Sequence, residues 1–173
     1  MKPLRYANSD AIVSPVRTFF VTTNTSMGRR LLQSDRNALL FIDVLRSYVA
    51  AKKFQVHDFV VMPDHVHVLL TVGRDVTIER AMQLIKGGFS YRLKREFGYC
   101  GDVWQRGFSE VRVDDQRSWQ QHRDYIAQNP VKAGLVNSPE QFPYTFTYLA
   151  RQKQQGLKPA GPRDAHGPAE AVP

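Results

Sequence analysis

Two histidines sit two residues apart in "VVMPDHVHVLLTV", inside an otherwise apolar run. In an extended strand, residues i and i+2 project to the same face, roughly 6.5 to 7 Å apart along it. His65 and His67 therefore point together, while Val66, Val68 and Leu70 point the other way, toward a core. Paired imidazoles can share a divalent cation. The alternative is a pair of half-buried polar residues. Cys100 is the one cysteine in the chain, so neither a disulfide framework nor a cysteine-rich zinc site is available. Two imidazoles with a weak oxygen ligand suit Mg²⁺ or Mn²⁺ in an open site. His57, in the preceding strand, is a further neighbour, and a turn role is expected for Asp64.

A second chemical stretch is "HRDYIAQNPVKAGLV". Tyr125 and Asn129 are four residues apart, one turn along a shared helix face, with Gln121 one turn earlier. A phenol is a poor nucleophile at its usual pKa near 10. Beside a divalent metal and a phosphodiester it needs less help. The competing tyrosine is Tyr91, near Lys86, Arg92, Lys94 and Arg95. Those cations are read either as a phosphate-gripping surface or as a solvated helix face.

Elements must hold these groups in place. "VRTFFVTTNT" reads as a strand. "DRNALLFIDVLRSYVAAKK" reads as a helix capped by Ser34 or Asp35. "FQVHDFVVM" and "HVHVLLTV" read as two strands joined at Pro63-Asp64. A helix spans about 77–97, and Gly87-Gly88 inside it predicts a kink or a close approach, at about 1 kcal/mol per glycine. A strand ends "WQRGFSEVRVDD". A helix over 116–129 is expected to stop at Pro130, followed by a glycine turn. The order β-α-β-β-α-β plus a helix is the α+β, ferredoxin-like split βαβ arrangement. It predicts an antiparallel sheet with helices on one face, the other face free to carry a site.

The 173 residues fit one domain over 1–150. The first 15 residues read as an arm. The stretch 151–173, rich in Gly, Pro, Ala and charge, reads as a disordered tail. A net charge of +8 and a pI of about 9.8 favour a polyanionic partner, nucleic acid before membrane. The N-terminal "MKPLRYANSD" lacks the apolar core of a signal peptide, which predicts a cytoplasmic protein.

"MPDHVHVLL", "WQRGFSEVRVDD" and "YIAQNPVKAGLV", in this order, resemble the REP-associated tyrosine transposases. These are grouped with the insertion-sequence-200-like single-tyrosine transposases of the HUH endonuclease superfamily. The resemblance covers roughly residues 15 to 148. It implies a ferredoxin-like sheet with the histidines on a central strand and a C-terminal catalytic helix. It implies a Mg²⁺- or Mn²⁺-dependent enzyme that nicks single-stranded DNA and leaves a 5′-phosphotyrosine. Carried over, the metal ligands are His65, His67 and Asn129, and the nucleophile is Tyr125. The implied substrate is a short palindromic repeat folded into a hairpin beside an unpaired tetranucleotide, and the implied place of action is the bacterial nucleoid. Lys86, Arg92, Lys94, Arg95, Arg106 and Arg112 are the expected backbone contacts, with Trp104, Phe108 or Trp119 as base-stacking candidates. Many relatives carry Asp-His where this chain has Ser109-Glu110. Both monomer and homodimer are compatible, and the short Asp115-to-Tyr125 connection favours a site within one chain. Two other readings stand beside this one: a non-catalytic hairpin binder of DNA or RNA, and a phosphodiesterase that uses water.

Overall fold

The computed structural model describes residues 16–156. The predicted arm and most of the predicted tail lie outside them. β1 (Arg17–Asn24), β2 (Gln55–Val61), β3 (His65–Val72) and β4 (Ser109–Val113) form one antiparallel sheet in the order β2-β3-β1-β4. β3 thus lies between β1 and β2, which is the split βαβ expected. The hairpin at Pro63-Asp64 is closed by a bond from Met62 N to His65 O, 2.9 Å.

α1 (Asp35–Ala50) and α2 (Ile78–Phe97) cover one face. Ser34 caps α1, its hydroxyl accepting from Asn37 N at 3.3 Å. Thr77 caps α2, accepting from Arg80 N at 3.1 Å. Phe19, Val21, Val66, Val68 and Leu70 of the sheet meet Phe41, Leu45, Met82, Ile85 and Phe89 of these helices in the larger core. α2 packs on α1 where Gly88 meets Tyr48: a Cβ at position 88 would lie 2.8 Å from the tyrosine oxygen. The glycine pair therefore serves a close approach, and α2 continues through it unbroken.

The other face is not free. α3 (Gln116–Lys132) crosses it, and a second, smaller core joins Phe20, Val60, Leu69 and Val113 to Ile126 and to Phe142 further along. α3 also runs past the proline expected to end it. Pro130 removes only one helical donor, the one that would reach residue 126. The chain beyond it is still bonded, Ala133 N to Asn129 O at 3.0 Å and Leu135 N to Pro130 O at 2.9 Å. Gly134, at φ +70°, makes the turn that stops the helix.

A last helix, α4 (Phe146–Gln154), was not expected; it crosses the boundary placed at residue 150. Thr145 caps it, and residues 144–145 pair with β2 through Val61 N to Tyr144 O at 2.9 Å. This segment covers part of the β2 edge. Among the described residues no helix is long and apolar enough to cross a membrane.

Candidate functional site

His65 and His67 lie on the α3 side of β3, their ring centroids 4.8 Å apart. The register fixes their neighbours: Asn24 faces His65 and Thr22 faces His67. His65 Nδ1 donates to the Asp64 carboxylate at 2.6 Å, which leaves Nε2 open. His67 Nδ1 is 2.8 Å from the Thr22 hydroxyl. Only 3% of His67 is exposed. Burial, and then the neighbouring His65, lower its pKa to about 3. The ring is therefore neutral at ordinary pH, with one nitrogen lone pair available.

α3 brings Tyr125 and Asn129 onto these rings. Asp115 caps the helix, accepting from Ser118 N at 2.7 Å. Ile126 is buried against the sheet, and this fixes the helix rotation. Tyr125 then lies edge-on to His67, centroids 5.1 Å apart, and edge-on to Phe20 at 5.7 Å. The tyrosine remains 43% exposed. Asn129 places its side-chain nitrogen 3.1 Å from His67 Nε2. An amide donor there leaves Nε2 as acceptor and assigns the ring proton to Nδ1, facing Thr22.

This donor set fits a hard or borderline divalent cation. Turning the Asn129 amide over presents its oxygen beside Nε2. A separation near 3 Å is about the spacing of adjacent ligands in an octahedral site with bonds of ~2.1 Å. Among the described residues no group of three or more His, Cys, Asp or Glu side chains converges, so a third protein ligand at this place would be the amide. His57 is not part of it: its Nε2 bonds Thr71 at 2.7 Å.

Beside the histidines lies a groove of about 240 Å³, between Thr22 and Asn24 on one wall and the loop from Gln105 to Ser109 on the other. Arg106 lines it, opposite the two strand residues that face the imidazoles. The other predicted cations are not gathered there. Lys86 is turned inward, and its ammonium donates to Gln105 O at 3.0 Å and Gly107 O at 2.6 Å, holding the loop in place. Arg92 pairs with Asp43 and Glu96. Arg95 covers the ring of Tyr91 at 5.3 Å. Lys94 is exposed on the same helix, which packs on the far face of the sheet. Arg112 pairs with Asp114 and lies over Phe19, again on the far face.

Tyr91, 62% exposed on α2, is likewise remote from the histidines. Trp104 is a core residue: its ring packs on Phe41 and Phe89, and its indole N–H donates to Lys86 O at 3.0 Å. Phe108 packs partly against the same core, and Trp119 against the smaller one, edge-on to His57. Sequence reasoning missed Thr22, the anchoring role of Asp64, and Lys132, whose amine lies 5.6 Å from the Tyr125 ring centre. Lys132 carried a usable signal, two helical turns beyond the tyrosine. Thr22 carried none, because strand register is not local information.

A family model described as "Transposase IS200 like" matches residues 21–129, a span that contains both histidines, Tyr125 and Asn129. A REP-associated tyrosine transposase of Escherichia coli (strain K12) is 29% identical over 148 residues, 82% of each chain. The solved structure of a REP-associated tyrosine transposase bound to a REP hairpin matches with a TM-score of 0.62 and 27% identity, over 90% of this chain and 92% of that one. A solved structure from Deinococcus radiodurans R1, 20% identical with a TM-score of 0.51 over 73% of this chain and 95% of that one, shares the fold. With well over half of its length matched by that model, the chain belongs to the IS200-like transposase family.

Proposed function

We propose that this chain is a metal-dependent single-strand DNA endonuclease and strand transferase, acting beside palindromic repeat hairpins on the bacterial chromosome. One observation carries the reading: Tyr125 and Asn129 meet His67 within a single polypeptide, at 5.1 Å between rings and 3.1 Å between nitrogens. A site complete in one chain needs no exchange of helices between subunits.

His65, His67 and Asn129 would hold Mg²⁺ or Mn²⁺. Such an ion polarises a phosphate and disperses charge built up during displacement. Tyr125 Oη attacks the phosphorus as its proton leaves, the bond to the 3′ oxygen breaks, and that oxygen leaves as a hydroxyl. The product is a 5′-phosphotyrosine and a free 3′-OH. Attack by another 3′-OH reverses the step and rejoins DNA without a nucleotide cofactor. An unpaired strand at the cut suits this site, because its freer backbone can turn the phosphate in line with the Tyr125 hydroxyl. The relative bound to a REP hairpin supports a hairpin as substrate. Arg106, in the groove walled by Thr22 and Asn24, and Lys132, 5.6 Å from the Tyr125 ring centre, would hold the flanking backbone. Exposed Lys94 and Arg95 would serve only DNA that wraps to the far face.

Denaturing electrophoresis of a labelled hairpin oligonucleotide incubated with Mn²⁺ tests this. Wild type should give a covalent protein–DNA adduct. Tyr125→Phe should lose it by at least ~10³-fold while retaining the hairpin on native gels. A free 5′-phosphate without adduct would mean that water is the nucleophile. Hairpin retention without cutting, with any divalent ion, would mean a binding protein.

A further inference from the structure

Between β1 and α1 the chain makes a short turn over Ser26–Gly28. Met27 at its tip is 92% exposed, more than any other large apolar side chain among the described residues. Its backbone is left-handed, φ 57° and ψ 25°, and Gly28 follows at φ +62°. Residues other than glycine seldom adopt this region, and those that do are mostly Asn and Asp. A methionine stays there only when its surroundings over-determine the backbone.

The surroundings do so. Thr25 is fully buried; its hydroxyl oxygen lies 2.5 Å from Arg29 O and 2.9 Å from Asp64 O, and its amide donates to Asp64 O at 2.8 Å. Ser26 N donates to Val103 O at 2.9 Å. Arg29 reaches back to Ser26 O at 3.1 Å and across to Asp102 O at 2.6 Å. The frame thus holds an apolar side chain out in water, where it adds nothing to the core.

Its position indicates a partner. Thr25 is bolted to Asp64, whose carboxylate holds His65. Gln105 N donates to Asn24 O at 2.9 Å, so the groove walled by Asn24 and Arg106 ends where this turn begins. Arg29 and Arg30 follow the tip, which favours a polyanion over an apolar protein surface. Methionine is unbranched and polarisable, and is among the side chains that wedge between base pairs.

We propose that Met27 is a wedge that enters the base step where a DNA hairpin stem meets its single-stranded flank, splaying the flank toward the histidine groove. This rests on the hairpin substrate proposed above. The test is binding alone, with the full chain, without divalent metal, and with hairpins carrying 2-aminopurine at the junction or at mid-stem. Wild type should raise emission at the junction and leave mid-stem unchanged. Met27→Asn, which suits the left-handed backbone, should cut that rise by about threefold or more while binding of the linear flank stays the same. Met27→Gly should behave alike, since the side chain and not the turn is at issue. An equal rise in both variants overturns the wedge. So does a bound wild-type hairpin with no rise at the junction, and that result leaves the nicking reading intact. Failure to bind the hairpin at all removes both.

Discussion

His67 is contacted on both nitrogens, and the two contacts do different work. Thr22 meets Nδ1 at 2.8 Å and orients the ring; Asn129 meets Nε2 at 3.1 Å, where a cation would sit. Thr22→Val keeps the shape and removes the hydroxyl. Loss of such an orienting partner typically costs 10–100-fold in metal affinity. Calorimetric titration with Mn²⁺ should therefore show affinity falling about tenfold or more, with a stability change of only ~1 kcal/mol by urea unfolding. Unchanged affinity would mean that His67 is oriented by its packing against Phe20 instead, 5.4 Å away. The histidine pair was legible because a period of two is written in five consecutive residues. Thr22 lies 45 residues upstream of His67 and became a partner only through strand pairing. The seat of Lys86 was hidden for a related reason: only the tertiary fold reveals that a loop's carbonyls come to its ammonium.

Elements show the same division between local and long-range information. One cap was readable: Ser34, offered beside Asp35, accepts from the backbone three residues on. α4 was not readable: it is only nine residues long, its last four (RQKQ) run on into the polar stretch that follows, and its seat on β2 is a long-range contact. The Gly87-Gly88 pair was readable as a pair but not residue by residue. A methyl group added at Gly87 would meet nothing within 4 Å, whereas one at Gly88 would be crowded by Tyr48 and Val44, at 2.8 and 3.2 Å. Gly87→Ala should therefore stabilise the protein by about 0.5–1 kcal/mol, through helix propensity and a less disordered unfolded chain. Gly88→Ala should destabilise it by about 1–3 kcal/mol, because α1 and α2 must part to make room. Urea unfolding of both variants checks the opposite signs. Stabilisation by both would mean that Tyr48 swings away freely.

At the scale of the whole molecule the sheet is loaded unequally. Two long helices cover one face with the larger core, and α3, which carries Tyr125, sits on the other over a much smaller apolar cluster. An ion pair supplements that cluster: Arg123 of α3 reaches the Asp58 carboxylate of β2 at 3.2 Å, and Asp58 also accepts from Phe59 N at 2.9 Å. Asp58 is buried and Arg123 is 42% exposed, so solvent screens part of the attraction. Burial raises the Asp58 pKa, and the arginine opposes it without overcoming it. A raised carboxyl pKa means the folded state binds the proton more tightly than the unfolded state does. Its contribution to stability is therefore fully present below the unfolded pKa near 4, and is lost as pH rises through the folded value. Arg123→Ala removes the opposing charge, so the Asp58 pKa rises further and the penalty for ionising it at neutral pH grows. The variant should be less stable than wild type by about 1–2 kcal/mol at pH 7, and the gap should narrow as pH falls toward about 4. Because the pair ties α3 to the sheet, amide exchange in α3 should accelerate more than in α1 or α2. Adduct formation should fall with it, since Tyr125 meets His67 only while α3 is seated. A gap independent of pH would assign Arg123 a packing role, and uniform acceleration of exchange would mean that α3 opens only with the whole fold.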